Sequence, residues 1–178
     1  MKKARVLLPI FALFILLSGC KGGKDAYALA NEVKSYYNEA SEPALTARVI
    51  ADYGDRLSEF TLSLEGDEIT ILAPDEVSGI KARLSGGGVS LVYSGAEVFS
   101  GAVTGSGLSP VAALPFMLDC FRNGTVASAW LDGEKLTVDY YVSDTVSLRA
   151  EFDASTLSPV AALLTEEGAR ALSAEFIY

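Results

Sequence analysis

The sequence predicts a mainly β domain of the α+β class, with about eleven antiparallel strands and two helices. Three observations predict it. Apolar residues recur at every second position through most of the chain, which is the period of a half-buried strand. Turn dipeptides such as Gly66-Asp67, Ser94-Gly95 and Asp132-Gly133 separate these runs, and connections this short join antiparallel neighbours. Two segments carry helical spacing instead, Ala26 to Asn38 and Val111 to Phe121.

In the first helical segment Ala26, Leu29, Val33 and Tyr36 fall on one face, with Glu32 and Lys34 off it. Asp25 is placed as its N-cap and Ser41-Glu42-Pro43 ends it. A first strand then covers Leu45 to Tyr53. Phe60, Leu62 and Leu64 alternate with Thr61, Ser63 and Glu65, and Ile69 and Ile71 follow the next turn. After Pro74, Ile80, Ala82 and Leu84 alternate with Lys81, Arg83 and Ser85. Gly86-Gly87-Gly88 turns into Val89, Leu91 and Tyr93, with Val98 beyond.

Gly101 to Gly107 reads as a Gly-rich loop. Ser109 can cap a helix, and Pro110 suits the first helical position. Val111 to Phe121 is apolar on nearly all sides, which predicts a buried helix. Pro115 predicts a kink there, or a regular part that starts at it, and Asn123-Gly124 stops it. Strands resume over Val126 to Leu131. Leu136, Val138 and Tyr140 follow, then Val146, Leu148, Ala150 and Phe152. The last two strands are about Pro159 to Leu164 and Ala171 to Ile177. One heptapeptide occurs twice, as Leu108-Ser109-Pro110-Val111-Ala112-Ala113-Leu114 and as Leu157-Ser158-Pro159-Val160-Ala161-Ala162-Leu163. The flanks differ, so context alone assigns the first copy to helix and the second to strand.

The N-terminus carries a separate signal. Lys2, Lys3 and Arg5 precede the uncharged stretch Val6 to Leu17, which ends in Leu17-Ser18-Gly19-Cys20. A basic head, about a dozen apolar residues and a small-residue exit describe a secretory signal; a membrane span needs roughly 20 apolar residues. The last four residues resemble the lipobox of bacterial lipoproteins. That resemblance implies cleavage after Gly19 and acylation of Cys20. Residues 1–19 are then a signal peptide, 20–25 a tether and 26–178 one domain, exported and held by lipid on the outer face of the cell membrane. Lys21 follows Cys20 where an aspartate would favour inner-membrane retention, so a two-membrane cell would carry it on the outer membrane. Cys120 is left without a partner, most simply as a small buried hydrophobe.

Loss of Lys2, Lys3 and Arg5 leaves 23 acidic residues against 11 basic ones in the exported part, a net charge of −12. Such a surface repels phosphate backbones, so no nucleic-acid partner is expected. Histidine is absent, which removes the commonest general base and metal ligand. Nucleophile elbow, phosphate-binding loop, calcium loop and paired-cysteine metal spacing are all missing. The chain is therefore expected to be a non-enzyme, with no catalytic residue, metal or cofactor.

About eleven strands at about 4.8 Å spacing form an arc roughly 50 Å wide. Two helices about 10 Å across cover less than half of it. The remainder closes as a barrel, stays a hollow that holds something apolar, or collapses into a packed core without ligand.

The order of lipobox, helix, six-strand meander, apolar helix and five further strands resembles the LolA/LolB-type lipoprotein carriers. Pro74-Asp75-Glu76-Val77-Ser78-Gly79, the turn into Val89-Ser90-Leu91-Val92-Tyr93-Ser94-Gly95, and Phe152-Asp153-Ala154-Ser155-Thr156-Leu157-Ser158-Pro159 carry this likeness. Clostridial germination lipoproteins resembling GerS share the layout. The resemblance implies an unclosed half-barrel with the two helices as a lid on its concave face. It also implies a ligand, a lipid or another protein's acyl chains, held in the hollow. Lid candidates are Leu29, Val33 and Tyr36 with Leu114, Met117, Leu118 and Phe121. Wall candidates are Phe60, Leu62, Ile71, Leu84, Leu91, Trp130, Val138, Leu148 and Phe152. Carriers of this type hold the lid with a strand arginine, for which Arg48 and Arg83 are the counterparts to consider. The GerS-like variant implies instead a module that docks an envelope or spore-cortex enzyme. The partners left open are the membrane through the anchor, an acyl ligand and an envelope protein.

Overall fold

The structure, a computed structural model, describes residues 25–40, 44–85, 88–102 and 110–178, and side chains in these ranges except at 84, 85, 88, 89 and 97–102. Cys20 with its signal peptide and the tether up to Lys24, Ser41-Glu42-Pro43, the Gly86-Gly87 turn, the Gly-rich loop beyond Ala102 and the Ser109 cap lie outside the described residues.

Helix α1 is Ala26–Glu39, and the Asp25 carboxylate accepts the Tyr27 N–H at 3.1 Å as its N-cap. Its buried face is Leu29, Ala30, Val33 and Tyr37. That corrects the expected place of Tyr36, which is 49% exposed. The i, i+4 series 29–33–37 runs straight along the helix, and Tyr36 lies beside it, edge-on to the Tyr37 ring at 5.0 Å.

Strands β1 (Ala44–Asp52), β2 (Leu57–Glu65), β3 (Glu68–Ala73), β4 (Lys81–Ser85), β5 (Gly88–Tyr93) and β6 (Ala96–Ala102) follow. Helix α2 (Pro110–Asn123) comes next, then β7 (Thr125–Asp132), β8 (Lys135–Tyr141), β9 (Val146–Asp153), β10 (Pro159–Glu166) and β11 (Ala169–Ile177). β6 extends into Gly101-Ala102, two residues expected in the loop. Pro115 lies inside α2, which is assigned as helix on both sides of it. The expected late start is thus corrected. One missing N–H costs a hydrogen bond, while Leu114, Met117, Leu118 and Phe121 are buried around it.

The strands form one antiparallel sheet in the order β6-β5-β4-β3-β2-β1-β11-β10-β9-β8-β7. The two meanders join where β1 pairs with β11, from Thr46 opposite Ile177 to Ala51 opposite Leu172. β6 and β7 are the two ends, so the sheet is open. At Ser94-Gly95 both φ angles are positive, 49° and 82°, as a two-residue hairpin of the right twist requires.

Alternation gives the sheet an apolar inner face. Val49, Ala174, Ala162, Ala150, Val138 and Ala129 lie side by side across β1, β11, β10, β9, β8 and β7. This row of small residues leaves depth for a helical layer against the sheet. The α1 and α2 side chains complete the core with Leu62, Leu64, Ile69, Leu136, Leu148 and Phe152.

The outer face carries the ion pairs of the sheet. Arg48 reaches Glu175 and Glu59, Lys135 pairs with Glu151, and Arg149 forks onto both oxygens of Asp139 at 2.7 and 3.1 Å. The Arg149 guanidinium and the Ser128 hydroxyl hold the Asp139 carboxyl below its usual range. Exposed pairs of this kind keep the face soluble and add little stability.

The β9–β10 turn is built around Asp153. Its Oδ1 accepts from the N–H groups of Ser155 and Thr156 at 2.9 and 2.8 Å and from their hydroxyls at 2.6 and 3.1 Å. These donors hold its pKa at about 2. The folded value lies below that of an unfolded aspartate, about 3.9, so the stabilisation is complete above pH 4 and is lost as pH falls through about 2. A carboxyl-carbon NMR titration is expected to show a midpoint near 2, and Asp153→Asn should remove the acid-sensitive part of turn stability in that window.

Candidate functional site

The candidate site is the layer between the two helices and the inner face of the sheet. Phe121 of α2 is its centre. Its ring meets Tyr37 of α1 at 5.5 Å, Tyr140 of β8 at 6.2 Å, Phe152 of β9 at 5.0 Å and Phe176 of β11 at 6.3 Å. One side chain thus touches both helices' apolar surfaces and three strands. Leu114 and Met117, on the same face of α2, are fully buried with it.

Side-chain hydrogen bonds of Arg122 and Asn38 run from helix to helix, beside one from Asn38 to the Lys34 carbonyl within α1. Arg122 Nε donates to the Tyr37 carbonyl at 2.8 Å, and its Nη2 donates to the Ala40 carbonyl at 3.3 Å. Asn38 Nδ2 donates to the Arg122 carbonyl at 2.9 Å. The Arg122 charge therefore caps the C-terminal carbonyls of α1, where a cation is favoured. The expected strand arginines are corrected: Arg48 pairs with Glu175 and Glu59 on the outer face, and Arg83 with Glu68 at 3.0 Å. The arginine bonded within the helical layer is Arg122, which ties α2 to the end of α1. Replacement of Arg122 by Met is expected to cost about 1–3 kcal/mol and to speed amide hydrogen exchange in α1 more than in β1–β3.

The structure brings most of the expected residues together. Leu62, Leu114, Met117, Phe121, Val138 and Leu148 are fully buried in one core with Leu118, while Phe60 and Leu91 are half-buried against it. Leu84 stands on β4, and its side chain lies outside the described residues. Trp130 is the correction. It is 39% exposed, opposite Thr137, and its ring lies 5.2 Å from the Arg149 guanidinium on the outer face. A register shift between Val126 and Ser128 sets the parity of β7, so Ala129 and Leu131 turn inward instead.

Three residues were not anticipated as parts of the site: Arg122, Tyr140 and Gly124. Gly124 follows α2 directly. A Cβ there would stand 2.4 Å from the Cys120 carbonyl oxygen and 2.7 Å from Tyr140 Cδ1. The Cys120 thiol is pushed up to about 12, first by burial and then by Asp119, which keeps it protonated. Burial likewise lifts the Tyr37 and Tyr140 phenols above their ordinary range. Two of these three carried a signal in the sequence: Gly124 as the stop of the second helix, and Tyr140 through its inward parity with Leu136 and Val138; Arg122 carried none.

No family model and no curated protein matches this chain. Solved structures do. An uncharacterized conserved protein from Thermus thermophilus is 7% identical, with 86% of this chain and 85% of that one covered and a TM-score of 0.48. The LolA superfamily protein NE2245 from Nitrosomonas europaea is 6% identical over 88% and 93%, with a TM-score of 0.44. A chain in the structure of the CwlD amidase from Clostridioides difficile in complex with the GerS lipoprotein is 11% identical over 87% and 95%, with a TM-score of 0.47. At these identities the likeness concerns the course of the chain, a mainly β open sheet with two helices. The functional reading rests on the residues of the lid and the sheet.

Proposed function

We propose that this chain is a membrane-anchored envelope lipoprotein that binds an apolar ligand, a lipid or a protein's acyl chains, between its two-helix lid and its half-barrel. The observation that carries this is the division of contacts in the lid. Arg122 and Asn38 tie the helices to each other, whereas Leu29, Val33, Leu114, Met117 and Phe121 meet the sheet through apolar surface. A layer tied in that way can rise as a unit. Acyl chains that take its place restore the buried apolar area at about 25 cal/mol per Å². The role is binding, without catalysis or a cofactor.

The test is the lipid content of the purified chain. Acyl lipid is expected to co-purify with the unaltered protein and to be lost in Leu118→Asp with the circular dichroism unchanged. Leu118 suits this because at 5% exposed it is less enclosed than Leu114, Met117 and Phe121, which are 0–1% exposed. Lipid missing from the unaltered protein would count against the proposal.

A second reading is favoured by the complete burial of Leu114 and Met117 and by the exposure of Trp130. On it the core is a packed scaffold and the outer face docks an envelope or spore-cortex enzyme. Partner binding would then survive Leu118→Asp and fail in Trp130→Ala.

A further inference from the structure

The Tyr140 hydroxyl is a polar atom that the apolar layer does not account for. Tyr140 is 2% exposed, and its oxygen has no hydrogen-bond partner among the described residues. A buried hydroxyl without a partner is costly, and folded chains rarely keep one without a use. Phenylalanine would fill the same position on β8 with the same ring.

The surroundings define what the hydroxyl faces. The Tyr140 ring packs at the C-terminal end of α2, next to Gly124 and near Phe121. Of its titratable neighbours, Cys120 belongs to α2 and Tyr37 to α1. The group therefore lies beneath the junction of the two lid helices. The nearby Cys120 carbonyl is already engaged by the Gly124 N–H at 2.8 Å. Burial keeps the phenol protonated, so it is a donor across the physiological pH range.

The geometry points to Tyr140 as the polar anchor of the ligand site, donating its hydroxyl proton to the neutral carbonyl of an ester- or amide-linked acyl chain. This rests on the proposed lid-and-barrel reading and narrows its ligand class. A plain hydrocarbon would leave the hydroxyl unpartnered. A free carboxylate would bring a charge into the apolar layer, which is far more costly than a neutral carbonyl. An acyl ester or amide satisfies the one donor and places its chain along the inner face of the sheet.

The test compares the full chain, purified from membranes in a non-ionic detergent, with its Tyr140→Phe counterpart. Two radiolabelled probes are used, monopalmitoylglycerol and hexadecane. The unaltered chain is expected to bind the ester more tightly than the alkane. Tyr140→Phe should weaken the ester about tenfold, the value of one hydrogen bond that the free protein leaves unmade, and leave the alkane unchanged. The free variant is expected to melt no lower than the unaltered chain. If both probes bind and Tyr140→Phe weakens neither, the anchor is wrong while the ligand reading stands. If neither binds, both fall. If the free variant melts several degrees lower, the hydroxyl has a partner within the chain, and the inference is overturned whatever the probes do.

Discussion

Phe121→Ala is expected to lower the free energy of unfolding by about 3–5 kcal/mol, the range for loss of a fully buried aromatic ring. Phe121 is 1% exposed and contacts Tyr37, Tyr140, Phe152 and Phe176. Its removal leaves the helical layer without the side chain that joins both helices to β8, β9 and β11. Its four aromatic neighbours come from α1, β8, β9 and β11, and such separately anchored rings collapse poorly into a cavity, which places the cost toward the upper end of the range. Urea denaturation followed by circular dichroism checks this. A loss below about 1 kcal/mol, the level of an ordinary point change, would mean that the lid layer carries little of the stability. For comparison, Trp130→Ala should cost far less, because that ring is largely on the outer surface.

Gly124→Ala is the second large effect, and its cause is different. A methyl group at Gly124 meets a backbone oxygen at 2.4 Å and the Tyr140 ring at 2.7 Å. Neither is the far end of a flexible side chain. The Gly124 N–H also closes the last turn of α2 on the Cys120 carbonyl. The methyl group therefore forces α2 and β8 apart at their junction. Overpacking of this kind costs about 1–3 kcal/mol and at times more. The expected result is a destabilised protein with unchanged strand content, in which amide exchange rises at the end of α2 and the start of β7. In a Tyr140→Ala background, Gly124→Ala is expected to cost less than it does in the unaltered chain, which would identify the ring as one of the two obstacles.

Most of the fold was legible because it rests on local rules. Period-two alternation over Val146 to Phe152 assigns the inner face of β9, and the structure buries Val146, Leu148, Ala150 and Phe152. The expected Asp25 cap forms, and the end of α2 at Asn123 was marked by the glycine after it. Two of the misplacements share one origin. Tyr36 and Trp130 each stand one position from the buried series, where a single-residue phase error changes the face. A register shift in β7 leaves no mark in the apolar pattern. The lid arginine was sought on strands, and charge alone does not tell a side chain that pairs outward, such as Arg48, from one that folds over a helix end, such as Arg122.

The repeated heptapeptide shows where local information ends. Pro110-Val111-Ala112-Ala113-Leu114 is helical, and Pro159-Val160-Ala161-Ala162-Leu163 is strand. Five identical residues have one set of intrinsic propensities, so the flanks and the neighbours decide between the two forms. By itself the sequence determined the mainly β class, the strand count, the hairpin turns and the apolar inner face, because each follows from the side-chain period and the turn residues. Only the tertiary structure decided that β1 closes the two meanders through β11, that Arg122 ties α2 to the end of α1, and that Tyr140 is buried against the end of α2. Those features join residues far apart in the chain, and they exist only once the sheet has curved and the helices have settled on its row of small side chains.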